Sequence, residues 1–453
     1  MLNKISKRKL LLLVGDVVII SFSYYLSFYF RFGRFENIFE SNKILNLILI
    51  AIIVILGFYI FEQYNIQKKQ VTSDQIIMFL IALASISLLM SVCFYFFPFI
   101  VGRGIFFLTL TAAAILTFTW RTVFPLLFGV IIPIKNVLLL GGGKETEVLI
   151  NDSIQSPEYN IVGWVDDIDK ENNHRNSLKL LGKLSEIEKI IDEYNINDIA
   201  ILRESILHKL GERLINMRMK GVKIHTFPDF YESINFKLPV SYIKDKWLIF
   251  SKGFDKLGNG IYRKIKRGID IILSTLVLII SLPITLIIIM LIKLTSKGPI
   301  FYIQERQGLN EKPFCMIKFR TMIVNAEKEK PQWAEENDAR VTKVGKILRK
   351  SRFDELPQLI NILKGEMSFI GPRPEREYFV RILKKKIPYY SLRFVVKPGL
   401  TGWAQVNYRY GSSLEDAIEK LSYDLYYIKN MSLFLDLRII LKTIRICLFG
   451  MGR

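Results

Sequence analysis

The sequence predicts a membrane α-helical bundle, a doubly wound α/β domain, and a second α/β domain anchored by a re-entrant membrane helix. Three observations predict it. Apolar residues gather into runs of membrane-spanning length although 23 % of the chain is charged. Strand-like and helix-like patterns alternate between 135 and 235. A later apolar run, Ile271 to Ile292, has basic residues at both ends. The expected boundaries are a four-helix transmembrane bundle over 1–130, the doubly wound domain over 131–235, a linker over 236–262, the re-entrant helix over 263–297 and the second α/β domain over 298–453.

The four apolar runs are 10–30, 44–61, 76–97 and 105–120. The first is too long for a signal peptide, lacks a small-residue cleavage site and contains Asp16, so it reads as a spanning helix. Lys4, Lys7, Arg8 and Lys9 precede it, Lys68 and Lys69 lie in the second loop, and Lys135 follows the fourth run. The positive-inside rule then places the N-terminus, the second loop and all that follows the bundle in the cytoplasm, against which only Arg31 and Arg34 weigh. For Asp16, a basic partner on a neighbouring helix is the expected role.

Net charge is +21, which favours an anionic partner. With so many apolar runs, that partner is an anionic membrane and phosphorylated substrates rather than nucleic acid. The three cysteines (Cys93, Cys315, Cys447) and three histidines (His174, His208, His225) do not stand at metal-ligand spacing. They argue against a disulfide framework, a zinc site or a histidine triad. Acid–base or nucleophilic work is left to carboxylates, lysine or hydroxyls.

In the middle domain, strands are expected at 136–140, 161–165, 198–202 and 222–225, with helices at 144–155, 185–194 and 206–219. The turn Gly141-Gly142-Gly143, followed by Asp166-Asp167 at the end of the second strand, has the Rossmann-like dinucleotide-binding layout. The third glycine of that fingerprint is missing, which leaves open whether a nucleotide binds there.

Lys264, Lys266 and Arg267 precede the later apolar run, and Lys293 and Lys297 follow it. A straight span would carry 298–453 to the outside and leave basic clusters on both sides of the membrane. A helix that enters one leaflet, bends and returns keeps both ends in the cytoplasm. Pro283 is the expected bend, with Ser281 helping to satisfy the freed backbone groups.

Beyond the anchor, two short strands joined by a polar turn at 308–313 put Lys318 and Arg320 on one face. The stretch 349–374 then sets Asp354 and Glu355 between basic residues and a Pro-Arg-Pro turn. Ser351 is a candidate N-cap for the helical turn that bears the pair. One carboxylate can attack phosphorus while the other holds Mg²⁺, and arginines hold the phosphate oxygens. Near the end, 414–428 and 432–449 read as amphipathic helices. Arg438, Lys442 and Arg445 share one face of the second, which fits an in-plane helix at an anionic membrane or ordinary core packing.

The blocks Arg306-Gln-Gly308, Lys318-Phe-Arg320-Thr-Met, Asp354-Glu-Leu-Pro-Gln-Leu, Asn361-Ile-Leu-Lys-Gly-Glu-Met-Ser, Gly371-Pro-Arg-Pro and Lys397-Pro-Gly-Leu-Thr-Gly-Trp-Ala-Gln-Val-Asn407 stand in order over roughly 260–450. Together they closely resemble the monotopic phosphoglycosyl transferases, also called polyprenyl-phosphate sugar-phosphate transferases. The bundle and middle domain resemble the long form, which initiates capsule, exopolysaccharide or O-antigen assembly at the bacterial inner membrane. The resemblance implies that Asp354 attacks the β-phosphorus of a UDP-sugar, releasing UMP, and that undecaprenyl phosphate then takes the phosphosugar. It implies Glu355 as Mg²⁺ ligand, with Lys318, Arg320, Arg349, Arg373, Gln405 and Asn407 binding phosphate or substrate. Two departures stand out. Ser281 and Pro283 are separated by Leu282, and Tyr408-Arg409-Tyr410-Gly411 replaces the familiar Gly-Arg after Asn407.

Two rival functions are weighed beside this one. A membrane-anchored nucleotide-sensing scaffold would have a silent C-terminal domain, against which the intact carboxylate pair speaks. A glycosyltransferase passing the sugar without its phosphate would release UDP. Self-association, the sugar and the pathway are left open.

Overall fold

The computed structural model describes residues 7–33, 41–61, 63–64, 73–96, 102–131, 134–153, 159–167, 178–323, 338, 340–408, 411 and 413–448. Lys4, Arg34, Lys68, Lys69, His174, Arg409 and Tyr410 lie outside the described residues. The chain divides into two compact units, Met1–His225 and Thr226–Arg453.

In the first unit, α1 (Lys7–Phe32), α2 (Ser41–Ile60), α3 (Ser73–Phe96) and α4 (Arg103–Ile131) are the four expected bundle helices. Stretches in α1, α2 and α4 are long and apolar enough to cross a membrane, and the apolar stretch of α3 runs Ile76–Ser91. Ile20, Val54, Ile86 and Ala113 are buried, while Val18, Leu88, Phe107 and Ile115 face outward. Outward apolar faces suit a lipid surround.

The buried Asp16 on α1 finds the basic partner expected of it. Arg121 on α4 donates to its two oxygens at 2.8 and 2.7 Å. The guanidinium stands 4.3 Å from the ring centre of Phe58 on α2 and 5.8 Å from that of Phe79 on α3. All four helices meet at this one ion pair.

The same unit carries β1 (Lys135–Leu140), α5 (Lys144–Ser153), β2 (Tyr159–Val165), β3 (Leu180–Gly182), α6 (Ile187–Glu193), β4 (Ile196–Ile201), α7 (Ser205–Met219) and β5 (Lys223–Thr226). The strands are ordered β3-β2-β1-β4-β5, and β1 pairs in parallel with both β2 and β4. Leu138, Leu140, Val165, Ile199 and Ile201 meet Ile190, Leu210 and Leu214 of the helices in one core. The three-residue β3 is too short to show a period in sequence.

The second unit opens with α8 (Phe227–Asn235), α9 (Asp245–Phe250) and α10 (Gly260–Thr295). Residues 236–262, expected to be a linker, are instead built into this unit. Leu238, Val240 and Ile243 are buried in its main core with Tyr390, Phe394, Trp403 and Leu425. The compact boundary accordingly falls at His225 rather than at 235. Then follow β6 (Phe301–Gln307), β7 (Pro313–Phe319), α11 (Lys343–Ser351), α12 (Gln358–Lys364), β8 (Ser368–Ile370), α13 (Glu377–Lys386), β9 (Gly399–Thr401), α14 (Trp403–Asn407), α15 (Leu414–Asn430) and α16 (Leu433–Leu448). β6 and β7 form an antiparallel hairpin and β8 pairs with β9 in parallel.

α10 is one helix of 36 residues that runs through Pro283. Ser281 Oγ donates to the carbonyl of Leu278 at 3.4 Å, not to that of Ile279, which the proline leaves without its helical donor. One stripe of the helix faces its own unit along most of its length. Arg267 donates to the carbonyls of Ile362 and Leu363 at 2.5 and 2.7 Å, capping the end of α12. Asp270 accepts from Ser368 Oγ at 3.0 Å and Phe369 N at 2.9 Å. Val277 and Leu278 pack against Phe314, Leu359 and Met367, and Ile288 and Ile292 against Phe319 and Leu348. The opposite stripe, with Ile272, Ile279, Leu286 and Met290, is exposed.

The basic face of α16 turns inward. Arg438 and Lys442 each stand 5.1 Å from the ring centre of Trp403, and Lys442 also donates to Asn407 Oδ1 at 2.6 Å. An in-plane helix with that face on anionic lipid is therefore corrected to core packing for these two cations. The ring quadrupole and an amide oxygen hold them better than solvent would.

The Asp16–Arg121 pair generates a prediction. Asp16→Leu strands a buried guanidinium and should cost about 3–5 kcal/mol, whereas the double variant Asp16→Leu/Arg121→Met should recover most of it. Thermal unfolding of the full chain in nanodiscs measures both. Equal losses in the single and double variants would contradict the pairing.

Candidate active site

The site is built where α11 ends. Arg352 takes a left-handed conformation, φ 59° and ψ 16°, which stops the helix and redirects the chain. A non-glycine residue rarely adopts it without a reason in the surroundings. Phe353–Glu355 then forms a single 3-10 turn before α12 begins at Gln358. Ser351 does not cap this turn. It is the last residue of α11, and its hydroxyl donates back to Ile347 and Leu348 carbonyls. On so tight a turn the adjacent carboxylates point about 120° apart, since the repeat is three residues.

Glu355 meets two cations delivered by other elements. Arg373, from the loop after β8, donates to its Oε1 at 2.7 Å, and Lys318, on β7, approaches the same oxygen at 3.5 Å. Glycines bring the Arg373 loop this close. A Cβ on Gly371 would sit 2.4 Å from the Lys397 carbonyl, and one on Gly399 would sit 2.1 Å from Gly371 N. The strand β7 is clamped from the other side by Asn361. Its buried amide accepts from Ile317 N at 3.1 Å and donates to Cys315 O at 2.8 Å and Glu366 Oε2 at 2.7 Å.

Both carboxylates are buried, yet their environments drive them apart. Burial alone would raise Glu355, but Arg373 and Lys318, with Arg352 behind them, outweigh it and hold the group well below the usual carboxylate range. Asp354 is pushed up, by burial and then by the charge of Glu355, against the pull of Lys318, Arg373 and Arg349. Asp354 makes no side-chain hydrogen bond to the protein among the described residues, so its oxygens are the ones available to a reactant. Lys318 is pushed down to about 8 by burial, with Glu355 opposing and Arg373 and Arg306 assisting.

The other expected residues divide. Arg349 donates from Nε to Thr321 Oγ1 at 2.9 Å, and its charge acts on Asp354. Arg320 donates from one guanidinium nitrogen to Ser296 O at 3.0 Å and Ser296 Oγ at 2.7 Å, at the end of α10. Strand alternation fixes its face but not which neighbour it reaches. Gln405 donates to Leu400 O at 3.1 Å, and its Oε1 is buried without a hydrogen-bond partner among the described residues. Asn407 is engaged by Trp403 O and Lys442. Arg306 and Arg352 join the charge cluster without having been assigned a role. A signal for Arg306 existed in the hairpin register, because Tyr302 faces Lys318 and Arg306 shares its side two positions further along the same face.

The residues fit a magnesium ion that travels with a phosphate substrate. Both cations engage Oε1 of Glu355, which leaves Oε2, and Mg²⁺ typically takes one or two carboxylates plus substrate phosphates. The glycine turn of the first unit is a different case. Gly141 N donates to Val165 O at 2.9 Å and Gly142 N to Asp166 Oδ2 at 2.8 Å, while Arg203 pairs with the same carboxylate. A Cβ on Gly142 would meet the Trp164 ring at 2.4 Å. As arranged, the turn has no free amide at Gly141 or Gly142 for a pyrophosphate.

A family profile described as bacterial sugar transferase matches residues 261–450. The chain is 40% identical, over 56% of its length and 59% of the relative's, to a UDP-N-acetylgalactosamine-undecaprenyl-phosphate N-acetylgalactosaminephosphotransferase of Aeromonas hydrophila. It is 46% identical, over 42% of each chain, to a UDP-glucose:undecaprenyl-phosphate glucose-1-phosphate transferase of Klebsiella pneumoniae. It is 39% identical to an uncharacterized sugar transferase of Bacillus subtilis, over 42% of this chain and 89% of that one. The match thus spans only about half the length of the first two relatives.

The position of Lys318 predicts a pH dependence. Its folded value lies below the ordinary one, so the charged form is present below about 8 and is lost as pH rises through it. Binding of a nucleoside diphosphate, followed by titration calorimetry, should weaken across that range. Lys318→Arg should bind without the alkaline loss, because guanidinium stays charged. Retention of the loss in that variant would assign it to another group.

Proposed function

The chain belongs to the bacterial sugar transferase family, and on that premise we propose that it transfers a sugar-1-phosphate from a UDP-sugar to undecaprenyl phosphate. An Asp354 oxygen attacks the β-phosphorus, the bond from that phosphorus to the bridging oxygen breaks, and UMP leaves with the electron pair. The product is a phosphosugar–aspartyl intermediate. An oxygen of undecaprenyl phosphate then attacks the same phosphorus and expels the Asp354 carboxylate, giving undecaprenyl-diphospho-sugar. Each step needs only one of the two substrates in the site. The observation that carries this reading is the asymmetry of the pair: Glu355 is held by Arg373 and Lys318, whereas Asp354 accepts no side-chain hydrogen bond from the protein among the described residues.

Arg373, Lys318 and Arg349 neutralise the phosphate oxygens as charge builds on them. Mg²⁺, held by Glu355, supplies further charge neutralisation when bound. Gln405, with its buried Oε1, is the acceptor available to a substrate N–H or O–H. The first unit's sheet is Rossmann-like, supported by its order and parallel pairing.

The reaction takes place on the cytoplasmic face of the inner membrane, as the first membrane step of surface polysaccharide synthesis. The basic residues flanking the bundle support that orientation. α10 is re-entrant in this reading. Its support is that Arg267 and Asp270 at one end and Ile288 and Ile292 at the other pack against the same globular half. A helix spanning a bilayer about 30 Å thick would set those ends on opposite sides.

The test is the leaving nucleotide. Membranes bearing the protein, given UDP-sugars in turn with undecaprenyl phosphate, should release UMP. Asp354→Asn should lower the rate by roughly three orders of magnitude or more. Release of UDP would favour a glycosyltransferase, and full activity of Asp354→Asn would remove Asp354 as nucleophile.

A further inference from the structure

Outside the candidate site, α9 presents a surface that the core does not use. The helix is held firmly. Trp247 donates its Nε1–H to Asp229 at 3.1 Å, with the Lys429 ammonium 4.3 Å from its ring centre, and Asp245 accepts from Tyr389 Oη at 2.6 Å. So fixed, the helix turns Ile249 and Phe250 outward, 73 and 77 % exposed. Lys246 and Lys252, both exposed, stand on either side of them in the chain.

From α9 to α10 the chain follows the turn between α15 and α16. Gly253 lies so close to the Lys429 carbonyl that a Cβ there would be 2.7 Å away. Lys256 donates to Met431 O at 3.2 Å, and Lys266 pairs with Asp436 at 2.9 Å. On this run Ile261 and Ile265 of α10 and Leu433 and Phe434 of α16 are exposed. Ile261 and Ile265 begin an exposed apolar stripe of α10 that includes Ile272 and Leu276.

We propose that Ile249 and Phe250 are a second membrane contact of this unit, a wedge set into the headgroup region of an anionic bilayer beside the foot of α10. The inference rests on the membrane reading of α10. Apolar side chains turned outward, with lysines beside them, match the apolar boundary and the negative surface of such a leaflet together. A protein partner would match the apolar pair but would leave the exposed apolar residues Ile261 and Ile265 at the start of α10 unaccounted for.

The test uses the full chain in nanodiscs of mixed neutral and anionic lipid, with Cys93, Cys315 and Cys447 replaced by serine. Phe250→Cys and, separately, Ile279→Cys carry an environment-sensitive fluorophore. At position 250, a lipid with a shallow nitroxide should quench the label, and access of aqueous iodide should fall by about threefold or more relative to the free dye. Both effects should weaken when anionic lipid is omitted. Quenching at 279 with full iodide access at 250 would overturn the wedge alone, and full access at both would overturn the membrane reading of α10. Protection at 250 that persists in detergent and grows with protein concentration would assign the surface to a second copy and overturn the proposal.

Discussion

One ion cluster organises the candidate site: Glu355 with Arg373 and Lys318. Three separate pieces of chain have to converge for it, the 3-10 turn after α11, the loop after β8 and the strand β7. Each is held by its own device. The left-handed Arg352 turns the chain, the Gly371–Gly399 approach seats the loop, and the Asn361 amide clamps the strand. Because the two cations neutralise Glu355, it stays ionised while buried, and burial together with its field raises Asp354 beside it. A buried charge this well paired is costly to break. The cluster therefore separates two chemically similar neighbours into a bound anion and an available nucleophile.

The second constraint is the helix α10. Its inward stripe is tied to α12, β8 and the hairpin by charged and apolar contacts, whereas its outward stripe is almost wholly apolar. The carboxylate pair is thus coupled to a membrane-seeking element through the packed core that surrounds α12. In the proposed function this coupling has a purpose, since one substrate is dissolved in water and the other in lipid. Both must reach one aspartate.

Much of this was legible in the sequence, for identifiable reasons. Bundle helices and parallel strands announce themselves through long apolar runs and short β-branched ones, which need no knowledge of distant partners. Asp16 was legible as a paired group because an isolated carboxylate within a spanning helix is too costly. What failed to be legible depended on who the neighbour is. Leu238, Val240 and Ile243 are sparse among proline and polar residues, and packing with distant elements, among them the Tyr390 segment, Trp403 and α15, makes them core. Arg320 and Lys318 share a strand face, but one reaches Ser296 and the other Glu355. The cations of α16 find Trp403, a contact no helical period reveals. Ser351 has the composition of a cap, and the left-handed residue after it decides otherwise.

The division of roles between Asp354 and Glu355 is the central claim, and peptide mapping by mass spectrometry addresses it most directly. The protein would be incubated with a UDP-sugar and Mg²⁺ but no lipid acceptor, quenched in acid and digested. A phosphosugar adduct confined to Asp354, formed together with UMP, is the expected result. An adduct on Glu355, or UMP release that requires the acceptor and leaves no adduct, would contradict it.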